Sequence, residues 1–63
     1  MEITNKDQAR KWLLAWDNKP PRGIALEAVR GLRKCEAICR GDGRREMAAN
    51  YASAALLIEP YSI

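Results

Sequence analysis

A short glycine-containing segment, Gly41–Asp42–Gly43, separates two long stretches in which apolar residues recur at helical spacing. Glycine ends helices readily because it adopts left-handed backbone geometry without strain, so we place the stop at Gly41 and the next helix start immediately after it. A connection of about three residues forces two helices of about sixteen residues to lie side by side and antiparallel. The sequence therefore predicts a helical hairpin.

The two hairpin helices are predicted over about residues 23–40 and 43–59, and Pro60 ends the second. Each carries apolar residues within one arc of its surface, which is typical of helices that share a core. The predicted inner faces consist of Ile24, Ala28, Gly31, Leu32, Cys35, Ile38 and Cys39 on the first helix and of Met47, Ala48, Tyr51, Ala54, Ala55 and Ile58 on the second.

Counting outward from Asp42 predicts which residues meet across the hairpin. Ile38 is expected opposite Met47, and Gly31 opposite Ala54. Large and small side chains then alternate, as close packing of two helices requires. A glycine inside an exposed helix costs about 1 kcal/mol, so Gly31 at the centre of this seam predicts close backbone approach. Leucine in its place is then expected to destabilise the hairpin by about 1–3 kcal/mol.

A shorter helix is predicted before the hairpin, over about residues 5–17. Its start has two candidate capping pairs, Thr4 with Asp7 and Asn5 with Gln8, in which a side-chain oxygen accepts a free backbone amide. Its apolar stripe consists of Ala9, Trp12, Leu13 and Trp16.

Residues 18–23 form the clear break between this helix and the hairpin. The consecutive prolines in this segment remove two amide donors and push the preceding residue out of helical geometry. No alternating run of β-branched residues predicts a strand. We therefore expect an all-α fold in which residues 1–63 form one small helical domain, a three-helix unit built on an antiparallel hairpin.

A chain of 63 residues buries only about 60% of the surface that its unfolded form exposes, so its core is small. Several apolar residues lie outside the predicted inner faces, namely Leu26, Val29, Leu56 and Leu57. Either helix 1 covers the hairpin, or two hairpins associate and bury the excess, and both can occur together.

This surplus of apolar residues favours a non-enzymatic protein that modulates a protein partner by binding it and that also associates with itself. We expect a homodimer, because small chains often complete their core by oligomerising and twofold dimers are the commonest solution. Tryptophan is enriched among the residues that dominate binding energy. The predicted partner-binding residues are Trp12, Trp16, Leu56 and Leu57, with core packing as the alternative role of the two indoles.

The alternative function is nucleic-acid binding through the basic segment 22–45, which holds seven basic and three acidic residues. Such a stripe neutralises phosphates, and binding then weakens steeply with salt. The competing interpretation is an ordinary solvated face, since Glu27 and Glu36 interrupt the stripe. The candidate nucleic-acid-binding residues are Arg30, Arg33, Lys34, Arg40, Arg44 and Arg45.

The sequence gives little support to other classes of function. Cys35 and Cys39, without any histidine, do not complete a four-ligand zinc site within one chain, and we expect them to be small buried groups. No nucleophile stands beside a base at readable spacing, so we expect no enzyme, cofactor or small-molecule substrate. The longest uncharged run, Met47–Ile58, has 12 residues, whereas a membrane-spanning helix needs about 20. The amino terminus lacks a signal-like apolar stretch, which favours a cytoplasmic protein.

In size and character, the chain resembles the short accessory proteins encoded in the early regions of temperate lambdoid phages. This resemblance implies a bacterial cytosol and a modulatory role exerted by binding a host or phage protein. It supplies no site residues.

Overall fold

Three α-helices and a closing 3₁₀ turn make up residues 2–63, the part of the chain that the structure, a computed structural model, describes. The helices are α1 (Lys6–Ala15), α2 (Arg22–Gly41) and α3 (Arg45–Ile58), and the C-terminal 3₁₀ turn is Glu59–Ser62. No strand occurs among these residues. The predicted all-α fold, an antiparallel hairpin preceded by a short helix, is confirmed.

The hairpin connection ends α2 with a left-handed glycine, but that glycine is Gly43, not Gly41. Gly43 has a φ of +76°, whereas Gly41 is the last residue of α2. The Gly43 amide donates to the Arg40 carbonyl at 3.2 Å, and the Arg44 amide donates to the Cys39 carbonyl at 2.8 Å. These two hydrogen bonds satisfy carbonyl groups that the end of a helix leaves free. The left-handed residue of this turn is therefore Gly43, two positions after the predicted Gly41.

Alanine at the two glycines should therefore have opposite effects. Gly43→Ala should destabilise the protein by about 1–2 kcal/mol, because a β-carbon strains left-handed backbone. Gly41→Ala should stabilise it by up to about 1 kcal/mol, since Gly41 is helical and alanine is the better helix former. A β-carbon at Gly41 would meet no atom within 4 Å. Urea denaturation of both variants checks this prediction; equal losses of stability would contradict it.

At the start of α1, the capping pair is Asn5 with Gln8. The Asn5 Oδ1 accepts the Gln8 amide at 2.9 Å. The Gln8 Oε1 reaches back to Thr4, where it accepts the backbone amide at 2.6 Å and the hydroxyl at 2.7 Å. These bonds satisfy groups that the first turn leaves free. One of the two predicted alternatives is thus the one formed.

All three helices contribute to one buried cluster. Helix α1 packs against α3, and α2 packs against both α3 and the C-terminal turn. Helix α1 therefore packs on its own hairpin, the first of the two arrangements that the sequence left open. The buried apolar residues are Ala9, Leu13, Ala25, Val29, Leu32, Cys39, Ala48, Tyr51, Ala54, Ala55 and Ile58.

Helix α2 is rotated by one residue from the predicted orientation. The buried row on α2 consists of Ala25, Val29, Leu32, Glu36 and Cys39. Leu32 and Cys39 were predicted to face inward, and this is confirmed, whereas Ala25, Val29 and Glu36 each lie one position after a predicted residue. Ile24 and Ile38 are 37% and 56% exposed, and Gly31 also faces solvent. The predicted pairing of Gly31 with Ala54 is therefore wrong, as is the close approach inferred for Gly31.

The burial of two further residues also differs from the prediction. Val29, which the sequence left outside the seam, lies in the core, and Met47, predicted to face inward, is 41% exposed. Glu36, which is not part of the predicted inner face, is also buried, although a bare carboxylate is costly to bury. Ion pairs remove most of that cost.

The carboxylate of Glu36 is only 8% exposed and lies between two arginines of its own helix. Arg33 Nη1 contacts Glu36 Oε1 at 2.8 Å, and Arg40 contacts the other carboxylate oxygen. Arg33 Nη2 also contacts Glu59 Oε2 at 3.2 Å, which links α2 to the C-terminal turn. The hydrogen bond from Arg33, together with the charges of Arg40 and Arg33, lowers the pKa of Glu36 below its usual value.

Acid should consequently weaken the fold through Glu36. Because the folded-state pKa is lowered, the stabilisation is present above the unfolded-state pKa and is lost as the pH falls towards the folded-state value. We expect the melting temperature to fall between about pH 6 and pH 3, across the usual titration range of glutamate. Glu36→Gln should lower the melting temperature at neutral pH and flatten its dependence on pH. Glu46→Gln, which removes an acid without an ion pair among residues 2–63, is the control.

Candidate protein-binding surface

The two indoles predicted to bind a partner lie side by side at the end of α1. Their ring centroids are 6.3 Å apart and their planes are tilted by 57°, a common geometry for aromatic pairs. Trp12 is half-buried and packs on the core, whereas Trp16 follows the last helical residue and is 37% exposed. Trp12 thus combines a core contact with an accessible edge.

The two leucines predicted to join the indoles lie elsewhere. Leu57 packs on the core, and Leu56 is 61% exposed. Both line a shallow depression of about 280 Å³ together with Lys6 and Ser53. Trp12 lines a different depression, so the four predicted residues are divided between two places.

Trp12 lines a groove of about 260 Å³ that extends to α2. Helix α1 packs against α3 and not against α2, and Ile3 of the N-terminal segment lines the groove together with Trp12. Most of the groove lining is apolar, with carboxylates contributed by Glu2 and Glu27. The lining residues used below are Trp12, Ala28, Gly31, Leu32, Cys35 and Tyr51. Sequence reasoning missed this groove because it placed Gly31 against α3, where no close contact is made.

The groove continues into a row of apolar residues along α2, which we call the α2 flank. It consists of Ile24, Ala28, Gly31, Cys35 and Ile38, spaced alternately by four and three residues. This spacing holds the residues on one side of the helix. The flank neighbours the buried row and extends along most of α2. It contains five of the seven α2 residues that the sequence predicted to face inward; the other two, Leu32 and Cys39, are buried as predicted.

The hydroxyl of Tyr51 lies beside two thiols within this region. Burial raises the pKa of Tyr51, and the nearby Cys35, Cys39 and Glu2 raise it further, with a hydrogen bond to Cys35 among the causes. Tyr51 is therefore a neutral phenol at physiological pH. Both cysteines are free; Cys35 is half-buried and Cys39 is buried. Tyr51 thus adds an uncharged side chain to an otherwise apolar region.

Two of the six basic residues proposed for nucleic-acid binding are already engaged in ion pairs within the chain. Arg33 and Arg40 are held in ion pairs with Glu36 and, for Arg33, Glu59. Within residues 2–63, the remaining four make no ion pair and are exposed. They are Arg30 and Lys34 on α2 and Arg44 and Arg45 at the hairpin connection.

Residues 2–63 bring together no group of three or more side chains of the types that bind metals. None of the described helices combines the length and the apolar character needed to cross a membrane.

Comparisons with known proteins add no relative to this description. Neither protein-family models, curated proteins nor solved structures match the chain.

Proposed function

We propose that this chain is a non-enzymatic helical module that binds proteins through the α2 flank and the adjoining groove. The observation that carries the proposal is the partial exposure of this apolar row. Ile24 and Ile38 at its two ends are 37% and 56% exposed, whereas Ala28 and Cys35 between them are half-buried and pack on the core. Contiguous apolar patches on a small protein commonly mark an interaction site. Covering the flank would remove this surface from water.

The shape of the surface suits a helix as its partner. Apolar residues spaced by four and three are the pattern by which helices pair along their length. The small side chains in the middle of the flank, at Ala28, Gly31 and Cys35, permit close approach of a second backbone. Trp12 in the groove supplies an aromatic anchor, a residue type enriched among binding hot spots.

The other predicted contact residues take lesser roles in this proposal. Trp16 extends the surface beside Trp12, whereas Leu56 and Leu57 line the separate depression. The resemblance to lambdoid phage accessory proteins leads us to place the module in a bacterial cytosol, where occupying a partner's surface would modulate that partner.

Nucleic-acid binding is less well supported, because Glu36 and Glu59 already pair with two of the six candidate residues. Titration of duplex DNA by fluorescence anisotropy at two salt concentrations separates the two functions. We expect little binding at low salt. A steep salt dependence that is lost in an Arg30→Glu/Lys34→Glu variant would favour the nucleic-acid alternative.

Photo-crosslinking in bacterial cells that express the chain tests the protein-binding function. The photoreactive amino acid p-benzoylphenylalanine replaces Ile38 on the α2 flank or Ala37, which is also exposed. Neighbouring residues of a helix point about 100° apart, so the two probes report on different sides of α2. We expect a protein adduct from position 38 and much less from position 37.

The mass of the adduct identifies the type of partner. An adduct of twice the 7.1 kDa chain mass indicates a second copy, and any other mass indicates a different protein. Either result supports a protein-binding flank. Equal adduct yields from the two positions, or none from position 38, would contradict the proposed function.

A further inference from the structure

The α2 flank is nearly symmetric about its centre. Ile24 lies seven residues before Gly31 and Ile38 lies seven residues after it. Between these two large side chains, the flank carries only small ones, Ala28 and Cys35. When two such helices lie antiparallel and cross at Gly31, Ile24 of one helix lies opposite Ile38 of the other. A twofold axis through this point therefore makes the flank complementary to itself.

Gly31 leaves room for this crossing. A β-carbon at this position would meet nothing within 4 Å, so the space above the helix is open. Helices pack about 8–10 Å apart, at the short end when the contact residues are small. None of residues 2–63 makes this close approach to Gly31, although the glycine weakens the helix.

Charges beside the flank distinguish a second copy from an arbitrary apolar partner. Glu27 and Lys34 are seven residues apart, which places them on the same side of α2. Both are exposed, and neither makes an ion pair among residues 2–63. In an antiparallel pair centred on Gly31, Glu27 of one chain lies beside Lys34 of the other, and symmetry repeats the pair.

A parallel pair gains no such complementarity. In a parallel pair the twofold axis is parallel to the helices, so the two copies of Glu27 lie on opposite sides of the dimer. The residues that would then face Glu27 belong to the row already buried against α3. The arrangement of charges thus selects both the partner and its direction.

We propose that a second copy of the chain covers the α2 flank, with the two α2 helices antiparallel, crossing at Gly31 and linked by two Glu27–Lys34 ion pairs. This inference rests on the proposed protein-binding function and names its partner. The apolar flank supplies the favourable burial, while the ion pairs set the direction and register.

Sedimentation equilibrium of charge-reversal variants over a range of protein concentrations tests the arrangement. Glu27→Lys alone, or Lys34→Glu alone, places like charges together twice in the dimer and should weaken association by about tenfold. The double variant Glu27→Lys/Lys34→Glu restores opposite charges and should associate like the wild type. Recovery in the double variant separates a direct pairing from a general effect of charge.

A second pair of variants tests the crossing point. Gly31→Leu should preserve the monomer fold, because leucine is a better helix former and the position is open. It should nevertheless weaken dimerisation at least tenfold, since its side chain fills the space that the second helix needs. Ala37→Leu, an exposed control on another side of α2, should leave dimerisation unchanged. Thermal melting at low concentration checks that each variant is folded.

Two outcomes would overturn this inference. A wild-type chain that stays monomeric up to about 1 mM does not use the flank for specific self-association. Single charge reversals that dimerise as tightly as the wild type exclude the antiparallel register. A monomeric chain that still forms an adduct with a different protein from position 38 overturns the second copy and leaves the protein-binding function standing.

Discussion

The orientation of α2 depends on the ion pairs that hold Glu36. A bare carboxylate in this position would be costly to bury, but Arg33 and Arg40 bind both of its oxygens. With that charge compensated, Val29 and Leu32 turn into the core together with Glu36. In the neighbouring row, Ile24, Gly31 and Ile38 are then left exposed, while Ala28 and Cys35 pack partly on the core. The exposed surface therefore follows from the way one charge is neutralised.

The hairpin and the short first helix could be predicted because their signals are local. Breaks, caps and helical periodicity act over a few residues, and the chain contains them clearly. The rotation of α2 could not be predicted in this way, since two apolar rows stand one residue apart on the same helix. The choice between them depends partly on Glu59, which lies far along the chain and contacts Arg33. A smaller error concerns the C-terminal end of α2, where the left-handed glycine is Gly43 and not the predicted Gly41.

The candidate site was predicted only in part. Aromatic residues with accessible surface were expected, and Trp12 and Trp16 do lie together. The sequence could not show that Leu56 and Leu57 line a separate depression, because that depends on how α1 crosses α3. Gly31 was predicted to lie against α3 but is exposed, because the side of α2 on which it lies is next to the buried row and not within it.

The attachment of α1 has a consequence for the groove beside it. Only Ala9 and Leu13 of this helix are fully buried, and its packing is against α3. Elements with few buried contacts detach at lower free energy than the whole molecule unfolds. Slight outward movement of α1 would carry Trp12 away from α2 while the hairpin stays intact. The wall that bears the indole is thus expected to be the least firmly held side of the groove.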